Sequence, residues 1–234
     1  ASSTATPVSA QSEQERLDAR YARALAAGYK ALMLCSAIAN AERNGATRTP
    51  ESVAEWEMGG IQAPLDAIAP ELGYRISRVD PADASSQVAN VSVDWAEGMA
   101  PRIARHVSQQ GCQLLPIGGN IPPFATLREQ PNRPSVAIRA FPSGALARIS
   151  QDAFGDAFGE GARTTAVVVQ SGGRMLGEAY ARDFGPAVPQ RTWSVAKSLA
   201  ATLVGAAVAR GETAVGRRAG LGTLTQDQGR AAIT

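Results

Sequence analysis

Apolar residues along this chain change their spacing twice, and the changes divide it into three stretches. In residues 13–39, Leu17, Tyr21, Leu25, Tyr29, Leu32 and Ile38 recur at helical spacing, interrupted at Gly28, so a long helix is expected. Asn44-Gly45 and Thr49-Pro50 mark a loop, and residues 51–58 suit a second, short helix. From 72 to 115 the period shortens. Tyr74, Ile76 and Val79, then Val88, Val91 and Val93, then Ile103 and Val107 predict short strands in a meander. Residues 116–135 carry five prolines and the adjacent Gly118 and Gly119, and this irregular connection is the expected domain boundary.

Helical spacing returns after it. Residues 144–158 predict an amphipathic helix carrying Leu146, Ile149, Ala153, Phe154 and Phe158. The apolar run 164–170 reads as a buried strand, Ser171-Gly172-Gly173 as a tight turn, and 174–180 as the returning strand of a hairpin. A loop with Pro186 and Pro189 leads to a helix over 193–210, which Gly211 stops. That helix is apolar on two adjacent ridges, Val195-Leu199-Leu203-Ala207 and Ala196-Ala200-Val204-Val208, so it is expected to lie buried in a domain. The fold class is α/β (α+β). Expected boundaries are 1–14 as a flexible mature N-terminus, 15–130 as an α+β extension and 131–234 as a second domain.

Composition narrows the classes. The 234 residues carry a net charge of +2, with 44% hydrophobic and 19% charged residues, which suits one large or two small folded domains rather than a disordered chain. No basic cluster lies beside an aromatic platform, so no nucleic-acid partner is expected. No apolar run approaches the roughly 18 uninterrupted residues of a membrane span. Residues 1–14, small and polar, read as the start of an exported protein after removal of a signal peptide, in preference to a trimmed cytoplasmic one. Export means a periplasmic or secreted location. There Cys35 and Cys112 could form a disulfide; two buried thiols are the alternative. No His/Cys/Asp/Glu pattern has metal-ligand spacing, so neither metal nor cofactor is expected.

Two of the 23 basic residues are lysines, Lys30 and Lys197. Each therefore prompts the question of what its ammonium does that a guanidinium cannot. Lys197 stands three residues after Ser194, a spacing that puts both on one helical face. At a helix N-terminus the macrodipole favours an alkoxide and disfavours a cation, and burial would add to the second effect. A neutral Lys197 could then take the Ser194 proton, with the Ser194 N–H facing a developing oxyanion. The alternative is a capping serine beside a lysine that snorkels to the surface. Trp193 would pack beneath this site or line it as a substrate contact. His106 suits a strand or surface position better than a triad base, because no G-x-S-x-G elbow exists. Asp152 and Asp156 read as solvated charges, and Gly118-Gly119 as a loop feature without phosphate-loop spacing.

The run TTAVVVQSGGRMLGEAYARDFGPAVPQRTWSVAKSLAATLVGAAVARG, 164–211, resembles the nucleophile region of the β-lactamase-related serine hydrolases. These include class C β-lactamases, family VIII carboxylesterases and 6-aminohexanoate-dimer hydrolases. TWSVAKS, 192–198, is most similar to the last group, and LMLCSAIANAERN and QQGCQL resemble parts of an N-terminal extension found in its relatives. The resemblance implies a penicillin-binding-protein-like sheet flanked by helices, with Ser194 as nucleophile and Lys197 as its base, acting on an amide or ester. It also implies a Tyr-x-Asn motif and a Lys/His-Thr/Ser-Gly motif downstream. The 40 residues after Ser194 hold no tyrosine, histidine or further lysine, and Tyr180 precedes the serine. The expectation is that a C-terminal remainder, as a second chain or a removed segment, completes the fold.

Overall fold

A computed structural model of the protein describes residues 12–107, 110–120 and 137–218. It is a mixed α+β structure with helices and a small antiparallel sheet. The chain divides into two compact units, residues 1–189 and 190–234. The expected boundary at 130–131 falls outside the described residues, as do most of 1–14 and 219–234.

The first unit is built on α1 (Glu13–Arg43). Its start is a capping box: Ser12 Oγ accepts from the Glu15 N–H at 3.2 Å, and the Ser12 N–H donates to Glu15 Oε2 at 2.8 Å. It stops at Asn44-Gly45, where Gly45 takes a φ of 76° and Ala46 N–H returns to the Ala41 carbonyl at 2.9 Å. Ala26, Ala27, Ala31, Leu34, Cys35 and Ile38 are buried, and this largely small-residue stripe lets the helix lie close to the sheet. At Gly28 a Cβ would stand 3.0 Å from the Arg102 guanidinium and 3.2 Å from Leu114, so those side chains would have to shift to admit one.

The sheet is the expected meander. β1 (Tyr74–Arg78), β2 (Val88–Val93), β3 (Arg102–Val107) and β4 (Gly111–Leu114) pair antiparallel in the order β1-β2-β3-β4. Val91 sits opposite Ile76 on one side and Ala104 on the other. Val88, Val91 and Val93 of the inner strand β2 are fully buried and join the α1 core. A disulfide joins Cys35 of α1 to Cys112 of β4, across a Cα–Cα distance of 6.0 Å.

An 18-residue window of α1 reaches a mean hydropathy of 1.3, enough by length and composition to cross a membrane, which a search for uninterrupted apolar runs passes over. In the structure 61% of that window is buried inside the protein.

Two short helices close the core, α2 (Pro50–Trp56) and α3 (Leu65–Glu71). The sequence reading places α2 but not α3. Arg48 is buried and makes a bidentate pair with Glu57, at 2.7 and 3.2 Å, while its Nε donates to Ser52 Oγ. Its guanidinium lies 4.6 Å over the Phe184 ring, Phe184 meets Trp56 edge-on at 5.1 Å, and Arg163 covers Trp56 at 4.8 Å. This cation–π column ties both flanks of the hairpin to α2.

The later elements depart from expectation in extent and burial. Helix α4 (Ala145–Asp152) ends six residues before Phe158, because Gly155 takes an extended conformation and a separate 3-10 turn follows over Asp156–Phe158. Ile149 and Phe158 are exposed. The hairpin forms as expected from β5 (Ala166–Ser171) and β6 (Arg174–Tyr180), with Gly172 and Gly173 both at positive φ. Strand β5 is only half-buried, since the sheet has two strands and Val168 faces outward. On the far side of β6 the Glu178 N–H donates to the Arg139 carbonyl and the Arg139 N–H donates to Glu178 Oε1, both at 2.8 Å, and Gly177 makes room for the Phe141 ring.

The second unit contains α5 (Val195–Ala209), with Ser194 at its N-cap position. None of its residues is buried. The expectation of a buried helix is therefore corrected: Val195, Leu199, Leu203 and Val204 are all more than half exposed. Apolarity of a helix specifies that it requires cover, and the described residues of the second unit do not supply it.

Candidate active site

Ser194 occupies the N-cap of α5, yet its side chain does not cap the helix. Its backbone is already helical, at φ −70° and ψ −8°, and this turns Oγ along the first turn rather than back over the N–H groups. Lys197 lies one turn on, and its Nζ donates to Ser194 Oγ at 2.8 Å. The i to i+3 backbone bond from Lys197 N–H to the Ser194 carbonyl, 2.9 Å, tightens this turn and brings the two side chains together. The geometry thus favours a serine paired with its lysine over a serine spent on capping.

The residue before the pair is held unusually. Trp193 has a φ of 45°, in the left-handed region that bulky residues avoid. Such backbone strain costs on the order of 1–3 kcal/mol and gathers at functional turns. Here it reverses the chain direction directly ahead of α5. The Trp193 ring is 60% exposed and lies under the Arg191 guanidinium, 4.5 Å away. The Arg191 contact carries no sequence signal beyond the i, i+2 spacing of an arginine and a tryptophan.

Ser194 and Lys197 are themselves exposed. The burial expected around Lys197 is not seen among the described residues, because the helix that carries it is exposed. What remains is a hydroxyl and an amine in hydrogen-bond contact at the positive end of a helix, a pairing that can pass a proton between oxygen and nitrogen.

The other residues singled out from sequence lie in the first unit. His106 is on β3, opposite Cys112, and is buried. Its Nδ1 lies 3.2 Å from the Val88 carbonyl, and Nε2 has no hydrogen-bond partner among the described residues. Burial lowers its pKa from 6.5, with the Val88 carbonyl and Glu42 opposing the shift and Arg43 adding to it. Tyr180, on β6, donates to Glu178 Oε2. Desolvation, followed by the hydrogen bond and charge of Glu178, raises its phenol to about 12. Glu178 is held below its usual range by that bond and by the Arg139 N–H. The pair is spent on holding the hairpin to the preceding segment. Asp152 and Asp156 are exposed, and Gly118 turns at a φ of 74°.

Lys30 answers its half of the lysine question differently. It is 7% exposed, and its Nζ donates to the carbonyls of Ala69 at 2.8 Å and Leu72 at 2.7 Å, with Pro70 at 3.4 Å. The ammonium thereby closes the C-terminal end of α3, where carbonyls lack helical partners. Burial lowers its pKa from 10.5. Three convergent carbonyls suit a compact ammonium better than a planar guanidinium.

Among the described residues no group of three His, Cys, Asp or Glu side chains could hold a metal. Compared with protein-family models, with curated proteins and with solved structures, the chain has no match.

Proposed function

We infer that the chain is the N-terminal part of a serine hydrolase that acts by acyl transfer through Ser194, related to the β-lactamase-like hydrolases. The observation that carries this reading is the 2.8 Å contact between Lys197 Nζ and Ser194 Oγ at the start of α5, directly after the strained Trp193. In the reaction the polarity of that bond reverses. Neutral Lys197 accepts the hydroxyl proton as Oγ attacks the carbonyl carbon. The carbonyl oxygen takes the negative charge near the Ser194 N–H and the helix end. Collapse expels the amine or alkoxide, which leaves with the proton, and water then hydrolyses the ester on Ser194.

The substrate class is an amide, with a linear amide ahead of a β-lactam or a simple ester on the likeness of TWSVAKS alone. The missing tyrosine and the Lys/His-Thr/Ser-Gly strand are assigned to polypeptide other than residues 1–234, which would also cover α5 and desolvate Lys197. No cofactor takes part. A periplasmic or secreted location is supported by the Cys35–Cys112 disulfide. A second reading, a non-catalytic ligand-binding protein of the same fold, is favoured by the exposure of the Ser194–Lys197 pair.

A fluorophosphonate probe followed by intact and peptide mass spectrometry tests the reading. The expected result is one adduct, on Ser194, absent in Ser194→Ala and formed at least ~10²-fold more slowly in Lys197→Ala. Native mass spectrometry of the protein purified from its source would reveal any associated second polypeptide. Absence of labelling in the assembled protein would leave the binding-protein reading.

A further inference from the structure

A cavity of about 310 Å³ lies beside Lys30, in the first unit and far in sequence from Ser194. Leu34, Pro50, Met58 and Pro70 give it apolar walls, and the Tyr74 ring forms another side. One wall is Lys30 itself, more than nine-tenths buried. The exposed residues Ala54 and Glu51 border the cavity and mark its opening.

The charge arrangement is unusual for an apolar cavity. A buried ammonium is ordinarily matched by a carboxylate. Lys30 makes no ion pair among the described residues; its partners are three carbonyls and the Tyr74 ring, whose centroid is 5.3 Å away. An ammonium has three N–H groups. Two are well used, at 2.7 and 2.8 Å, and the third rests on a long 3.4 Å contact to the Pro70 carbonyl. That third donor can turn to a stronger acceptor at little cost. A carboxylate in the cavity would receive it and neutralise the buried charge in a low-dielectric setting. Glu51 at the opening repels a second negative charge.

We propose that this cavity is a binding site for a small organic monocarboxylate with an apolar body, its carboxylate on Lys30 Nζ and its body against Leu34, Met58 and Tyr74. The site discriminates by charge at both ends: it prefers an acid to its uncharged isostere, and one carboxylate to two.

Isothermal titration of the purified chain with benzoate, benzamide and terephthalate reads each preference. Benzoate is expected to bind saturably, at least about tenfold more tightly than either of the others. Ala54→Phe, a larger side chain at an exposed position bordering the cavity, should abolish benzoate binding while circular dichroism and Tm stay unchanged. Glu51→Gln should bring terephthalate towards benzoate. Lys30→Met should remove the preference for benzoate over benzamide if the variant folds. Equal affinity for benzoate and benzamide, no saturable benzoate binding, or benzoate binding that survives Ala54→Phe would each overturn the proposal.

Discussion

Helices α1 and α5 are both rich in alanine and leucine, and they meet opposite fates. The stripe of α1 running through Ala27, Ala31, Leu34 and Ile38 is sealed against the sheet. The ridges of α5 through Leu199 and Leu203 stand open. Composition alone would bury α5 before α1, since α1 carries charges along its outer face and α5 has Lys197 as its single charge; what separates their fates is whether a partner surface lies against them. For α1 the meander arrives within 77 residues and is then fastened by the disulfide. For α5 no described element does so, and an apolar helix that carries a serine–lysine pair at its start remains exposed. On the reading proposed above, the uncovered face of α5 is where a completing surface would lie.

The largest effect expected from disturbing this contrast comes from the fastening. Replacing both Cys35 and Cys112 by serine should cost about 4 kcal/mol in urea unfolding, on the chain-entropy argument for a loop of this separation. A loss below about 1 kcal/mol would mean that the α1–sheet contact holds without it. Next in size is a matched pair of truncations. Leu34→Ala, at a fully buried position, should cost about 3 kcal/mol, whereas Leu199→Ala should stay within about 0.5 kcal/mol. Equal losses would show that α5 is covered in solution and would end the contrast. If a completing polypeptide is found, Leu199→Asp should weaken its association and leave the Tm of the isolated chain unchanged.

Smaller again is the start of α1. Ser12→Ala removes one side of the capping box and should cost about 1 kcal/mol, read by thermal unfolding. The smallest effect is a pH dependence confined to the first unit. Burial lowers the His106 pKa, so the folded state favours the neutral ring. Between the folded value and 6.5 the unfolded chain binds more protons, and stability rises with pH across that window. The contribution is complete above 6.5 and is lost as pH falls through the folded value. His106→Gln should flatten urea midpoints over that range, and an unchanged slope would place the titration elsewhere.

Periodicity in the sequence was sufficient for α1, for the meander and for the hairpin with its two turn glycines. It was insufficient for α3, a seven-residue helix that starts after Pro64 and carries Pro70 in its last turn, where a proline removes a helical N–H donor and so argues against a helix. The extent of α4 was overestimated because Phe154 and Phe158 continue the apolar period past Gly155, where the backbone leaves the helix. The Ser194–Lys197 contact was legible from spacing alone, since three residues on a helix fix it. The exposure of Lys197 was not, because burial depends on what else reaches the helix. Cysteine pairing was equally undecidable from spacing: it required β4 to lie beside α1. Lys30 could be singled out by the scarcity of lysine, but its carbonyl partners come from α3, the helix that the sequence conceals.

The Cys35–Cys112 bond also bears on biosynthesis. Within these 234 residues two cysteines allow a single intrachain pairing. Oxidation of these two can give the native connectivity or an intermolecular adduct, and forming the bond requires an electron acceptor. With Cys35 fully buried and Cys112 only partly so, a reductant would have to approach from the β4 side.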